Sequence, residues 1–295
     1  MKKGHIFILF ASLTVILSCI KNNTSIEEPA IDNFEQFSVF GDVHNMMLEY
    51  TENNLDLSVN CTSLDDGLDY LIKIQTEAID KTTLPIADKK LIKRMLPEQR
   101  KMYLKKNIND GLLTKGEENP EAFTIDEITK SVDNSYASGL LDEFERESLL
   151  RLIDMSVESA KGELEADVFN DNIKEMVSQW KSLYADVDYS GLFEDCSESC
   201  NIPHGALSAV VLNIAISSLG YWEEETHTKA LGVVGTIAVQ DIVGAVIGGV
   251  SGAVGSAVIS GDVNWKSVAW GAGVGAITGS TGVVGKVSRF IASLF

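Results

Sequence analysis

Gly244-Ala245-Val246-Ile247-Gly248-Gly249-Val250-Ser251-Gly252-Ala253-Val254-Gly255-Ser256-Ala257-Val258-Ile259-Ser260-Gly261 is the stretch on which the reading of this chain turns. At helical spacing Gly244, Gly248, Gly252, Ser256 and Ser260 fall on one ridge, and Ala245, Gly249, Ala253, Ala257 and Gly261 on the next. One face is therefore nearly bare backbone, which lets a second helix approach closely. Beside it Val246, Val250, Val254 and Val258 form a β-branched ridge suited to lipid or to a protein core.

A second ridge follows a polar turn at Gly261–Lys266: Gly271, Gly275 and Gly279, flanked by Ala272, Ala276 and Ser280. Two such ridges joined by a turn predict an antiparallel helical hairpin, similar to the tails of glycine-zipper membrane proteins. The charge-free run 242–260 would extend roughly 28 Å as a helix, close to the hydrocarbon thickness. Its eight Val and Ile residues are opposed by five glycines and three serines, so insertion is marginal. So many glycines cost helix stability in water. The hairpin therefore needs lipid, the rest of the chain or a second copy of itself. The first expectation is a non-enzymatic, lipid-anchored protein whose hairpin inserts in or associates with membrane and self-assembles there. The alternative is a binding or adaptor module in which the hairpin is internal packing. Lys286–Phe295 closes the chain as an amphipathic helix suited either to a membrane surface or to packing on the body.

At the other end, Met1-Lys2-Lys3 and the apolar run Ile6–Leu17 have the build of a secretory signal. The run is too short for a confident membrane span. Ile16-Leu17-Ser18-Cys19 resembles the bacterial lipobox. That resemblance implies cleavage before Cys19, acyl chains on Cys19, and membrane lipid as its partner. With no Asp after the cysteine, the expected location is the outer membrane of a bacterial envelope. The organisation expected is a lipoprotein signal peptide (1–18), a lipidated tether (19–33), an acidic α-helical domain (34–228) and a hairpin with its terminal helix (229–295).

Charge follows the same division. Without Lys2 and Lys3 the chain keeps 22 basic and 43 acidic residues, a formal charge of −21. The segment from Lys229 onward carries +2 and holds 14 of the 24 glycines, leaving −23 on residues 20–228. Such a body excludes nucleic acid as a partner class.

Along the body the period is helical almost throughout, and the fold class expected is all-α. Val43, Met46, Met47 and Tyr50 mark one helix; Leu68, Leu71, Ile72 and Ile79 mark another behind the caps Thr62 and Ser63. Leu91, Ile92 and Met95 mark a third, expected to end at Pro97, where a basic helix begins. Thr124-Ile125-Asp126-Glu127 has the spacing of a capping box. Two longer segments follow, one carrying Leu140, Leu141, Phe144, Leu149, Leu150, Leu152 and Ile153, the other Val168, Ile173, Met176, Val177, Trp180 and Leu183. Ala206–Leu219 reads as an apolar helix ending at Gly220; its interrupting Ser208, Asn213, Ser217 and Ser218 favour the core over lipid.

Phe40-Gly41-Asp42-Val43-His44-Asn45-Met46-Met47-Leu48-Glu49-Tyr50 resembles the G-x-x-H-N-x-x-L-D-Y stretch of a group of lipoproteins of Bacteroidetes bacteria, with Glu49 in place of the Asp. The resemblance implies an acidic helical middle, a Gly/Ala-rich tail and an envelope location, and no activity.

No catalytic residues, cofactor or metal are expected. His44 has Asp42 two residues before it, but residues two apart do not face each other on a helix; His44 and Asn45 read as a polar pair between helices. Cys196, Cys200 and His204 are spaced by four, yet Pro203 interrupts any helix there and no fourth zinc ligand is near. Cys61, Cys196 and Cys200 are candidates for a disulfide, with pairing left open. No phosphate loop, serine nucleophile elbow or metalloprotease helix is present.

Overall fold

The computed structural model describes residues 32–61, 64–109, 125–161, 163–193, 202–226, 241–250, 252 and 264–280. Among them every regular element is helical, and residues 33–295 belong to one unit. The protein is all-α. The helices are α1 (Ser38–Asn54), α2 (Leu64–Lys81), α3 (Ile86–Asn109), α4 (Ile125–Ala137), α5 (Glu143–Lys161), α6 (Ala166–Leu183), α7 (Ser190–Phe193), α8 (Ala206–Thr226), α9 (241–250) and α10 (Trp265–Ser280), with a short 3-10 turn at Glu35–Phe37 before α1. The expected lipidation site Cys19, the tether up to residue 31, the caps Thr62, Ser63 and Thr124, Cys196 and Cys200, the turn residues 261–263 and the terminal helix from Lys286 lie outside the described residues.

The body helices bury most of the stripe their period announces, but Val168 and Leu183 of the α6 stripe are exposed. In α1 the buried residues are Phe40, Val43, His44, Met47, Leu48 and Thr51; in α6, Phe169, Ile173, Met176 and Trp180. The exception is α8, where every residue from Ala206 to Ala215 is buried, both apolar and polar. A helix apolar all round must be covered all round, and α8 meets α1, α5, α6 and α10.

Three boundaries differ from the sequence reading. Pro97 does not end a helix; α3 runs through it to Asn109. The proline forfeits one backbone hydrogen bond, and the burial of Ile92 and Leu96 in the core just before it outweighs that loss. Gly220 likewise lies inside α8, which continues to Thr226. Leu140 and Leu141 precede α5 rather than opening it. α4 ends in a left-handed Gly139 (φ 79°), with Gly139 N–H donating to Tyr136 O and Leu140 N–H to Ser135 O. That is the bond pattern of a Schellman C-cap.

The predicted zipper forms. Gly244 lies against Gly275, Gly248 against Gly271, and Gly252 against Ser267, the backbone carbonyl of one helix resting where a Cβ of the other would stand. Each pair of numbers adds to 519, so the register is antiparallel and unslipped over two turns of helix. Gly279 falls within α10. Ser267 is the third small residue of the α10 ridge, one the sequence reading passed over.

The hairpin is not a separate layer. Val246 and Val250 are buried, Gly249 sits against Leu207 of α8, and α10 packs on α1, α3 and α8. Trp265 and Trp270 face Phe37 and Phe40: Phe40 lies 4.7 Å from Trp270 and 6.5 Å from Trp265, and Phe37 lies 6.1 Å from Trp265, all edge to face. Phe37 also meets Trp180 at 6.0 Å and Tyr189 at 5.2 Å, so one aromatic chain joins α6 to α10 through the start of α1. Such pairs add about 1 kcal/mol each beyond their buried area. The shift in composition near residue 229 is therefore no boundary in packing.

Candidate functional site

Two polar clusters are built into this apolar frame. The first joins α1, α8 and α9. Gly41 and Asn45, one turn apart on α1, meet Asn213 and Ser217, one turn apart on α8. A side chain at position 41 would run into Ser217, and Asn45 Nδ2 donates to Ser217 O at 2.8 Å. Asn45 Oδ1 lies 2.9 Å from His44 Nδ1, and His44 Nε2 lies 3.5 Å from Asp241 Oδ2. Ser218 Oγ donates to the same oxygen of Asp241.

With an N–H on Nδ1 facing Asn45, His44 is held with Nε2 toward the carboxylate. The order is serine, carboxylate, imidazole. Nucleophilic catalysis requires the imidazole between the other two and an open face for substrate; here the carboxylate is central and both His44 and Asp241 are wholly buried. The arrangement ties three helices together. The sequence reading of His44-Asn45 as a polar pair between helices holds, and Asp42 is exposed and apart from it.

The second cluster lies at the start of α5. Asp142 caps the helix: Glu145 N–H donates to Asp142 Oδ1 at 2.9 Å, and Asp142 N–H reaches back to Glu145 Oε2 at 3.3 Å. This is a capping box, one helix later than the one expected at Thr124. Tyr184 OH donates to Asp142 Oδ2 at 2.6 Å. Ser208 N–H points at Glu145 Oε1 from 3.3 Å, and the imidazole Nδ1 of His204 stands 3.8 Å from Glu145 Oε2.

The turn that brings His204 here is held on both sides. Tyr189 OH donates to His204 O and Trp180 Nε1 to Gly205 O, each at 2.7 Å. Gly205 has φ +88°, and a Cβ there would strike Tyr189 OH and the Tyr184 ring, so only glycine fits.

The electrostatics are unusual for a capping box. Glu145 is only 1% exposed, whereas His204 is 53% exposed. Burial pushes the Glu145 carboxyl up to about 7, the charge of Asp142 adds to the rise, and hydrogen bonds from backbone N–H groups oppose it. Burial raises the Tyr184 phenol as well, and so does its hydrogen bond to Asp142; Tyr189 is raised by burial and then by Glu145. Both phenols therefore stay protonated and donate. One carboxylate oxygen from each acid and His204 Nδ1 lie within 4.8 Å of one another. Of Cys196, Cys200 and His204, whose spacing by four was set aside as a zinc signal, His204 alone is described, and its neighbours are these carboxylates.

Cys61 is partly buried and carries a free thiol, raised above its usual range by burial and then by Asp66. Asp142 and Glu145 were missed in the sequence, although an Asp three residues before a Glu at the head of an apolar helix is a legible cap signal.

No protein-family model, no curated protein and no solved structure matches this chain. The functional reading therefore rests on the residues themselves.

Proposed function

We propose that the chain is a non-enzymatic, lipid-anchored protein of a bacterial envelope. Its helical domain serves as a binding or adaptor module, and its glycine hairpin is internal packing. The observation that carries this reading is the seating of the hairpin: the Val246 and Val250 ridge, open to lipid or core on sequence grounds, is buried in protein, and Trp265 and Trp270 are closed in by Phe37 and Phe40. Asp241, at the head of α9, is buried against Ser218 and His44, and leaving that site would expose both partners to apolar surroundings. Among the described residues no helix is long and apolar enough to cross a membrane.

In this reading Cys19 and its acyl chains hold the protein on the membrane, at the outer membrane by the lipobox resemblance. The −23 charge of residues 20–228 suits a basic protein partner and repels nucleic acid and anionic lipid surfaces. The absence of an open face at the His44 cluster favours a module over an enzyme.

Carbonate extraction of membranes holding the Cys19→Ala chain behind a cleavable signal tests the proposal. Release of the protein into the supernatant supports internal packing. Retention in the pellet overturns it in favour of a hairpin that inserts in membrane or self-assembles there.

A further inference from the structure

We propose that Asp142, Glu145 and His204 bind one divalent transition-metal cation, with zinc the ion that suits the donor set best. Two carboxylate oxygens and an imidazole nitrogen are a mixed set that zinc accepts, whereas calcium and magnesium favour oxygen alone. This site does not depend on the envelope reading above.

Geometry comes first. Donor atoms sharing a zinc at about 2.0–2.2 Å each stand no more than about 4 Å apart. His204 Nδ1 and Glu145 Oε2, at 3.8 Å, are already within that limit. The three donors all lie within 4.8 Å of one another, and the half-exposed imidazole has room to approach both acids. The backbone beneath that imidazole is fixed by Tyr189 and Trp180, so the movement falls on the side chain.

Support behind the ligands comes next. Metal-binding carboxylates are usually oriented by hydrogen bonds from outside the coordination sphere. Here Tyr184 OH and the Glu145 N–H hold Asp142, while Ser208 N–H holds Glu145. Three separate parts of the chain supply these donors.

Charge is the independent observation. A capping box needs its carboxylates at the helix start, but not buried, and Glu145 is shut away from water beside a second acid. Among the described residues neither Asp142 nor Glu145 forms an ion pair with lysine or arginine; His204 is the one basic group on them, and the adjacent Arg146 is committed to Asp133 at 2.6 Å. A buried carboxyl beside a second, half-buried acid and without a cation is costly. A metal ion supplies the missing charge, and the open side of His204 gives it a route in and leaves a coordination position facing solvent. The positive end of α5 opposes a cation, and the paired acids offset it.

The test is calorimetric titration of Zn2+ into the full chain after chelator treatment, with Cys196→Ser/Cys200→Ser beside it to remove the two thiols that precede His204 in sequence. The expected result is one equivalent bound, retained in the double serine variant and weakened about 10-fold or more in His204→Ala. Mg2+ should not displace it. His204 is half exposed, so its alanine variant keeps the fold, which circular dichroism verifies. Absence of saturable binding, loss of binding in the serine variant, or unchanged affinity in His204→Ala would each overturn the assignment.

Discussion

His44 of α1 and Asp241 of α9 face one another across 3.5 Å in the wholly buried interior of the molecule. Ser218 of α8 shares the Asp241 oxygen, so residues from the beginning, middle and end of the described chain meet at one carboxylate. Removing one side of a buried pair leaves the other without compensation. Asp241→Ala is expected to cost about 3–5 kcal/mol of stability, read by urea denaturation. In a double-mutant cycle, His44→Leu combined with Asp241→Leu should cost clearly less than the sum of the two single changes. Additive costs would show that the two side chains do not interact.

The zipper makes a sharper contrast, because two glycine-to-alanine changes should act in opposite directions. At Gly248 the new methyl group would collide with the Gly271 carbonyl, which is backbone and cannot swing aside. Gly248→Ala should therefore destabilise by about 2 kcal/mol or more, typical of overpacking. At Gly220, exposed and with nothing within 4 Å, alanine should stabilise α8 by about 0.5–1 kcal/mol. Thermal melts of the two variants check both signs.

The stability of the chelator-treated protein should fall as pH rises. Glu145 goes from 4.5 unfolded to about 7 folded, so between these values the folded state binds the extra proton. The contribution is fully present below pH 4.5 and lost as pH passes through about 7. A shift of this size corresponds to about 3 kcal/mol. Glu145→Gln should flatten that slope, measured by denaturation at about pH 5 and about pH 8, near the two ends of this window. An unchanged slope would mean that another group governs it.

Pro97 interrupts the hydrogen-bond ladder of α3 without ending the helix. Replacement by alanine restores an N–H donor and should raise the melting temperature, with up to about 3 kcal/mol available from propensity alone. A lower melting temperature would mean that the proline bend itself is required by the packing of α3 on α10.

How far the sequence revealed this molecule depends on the distance over which each feature is encoded. Helical period and the glycine ridges are local, and both were legible: Gly244, Gly248, Gly271 and Gly275 pair in the structure as their spacing suggests. Whether the valine ridge met lipid or protein was not legible, because α8, whose Leu207 meets Gly249 of the same helix as that ridge, is itself apolar and reads equally well as either. Asp241 looked like the polar end of a charge-free run; its burial depends on His44 and Ser218, which no local pattern connects to it. Glu145 carried a readable cap signal but nothing to announce that His204, on the turn before α8, and Ser208, in the first turn of α8 and 63 residues away, would close over it. The boundary at Pro97 failed where the burial of Ile92 and Leu96 outweighed the proline; at exposed Gly220 the helix simply runs on through a residue that costs it only about 1 kcal/mol.

The seating of α10 against α1 also governs when the chain can fold. Phe37 and Phe40 emerge early from the ribosome, whereas Trp265 and Trp270, which cover them, come more than two hundred positions later. Until then α8, which packs on α10, has no complete covering. Contacts so distant in sequence delay closure of the core. The native core is therefore unavailable until α10 has been made, however early its first aromatic residues leave the ribosome.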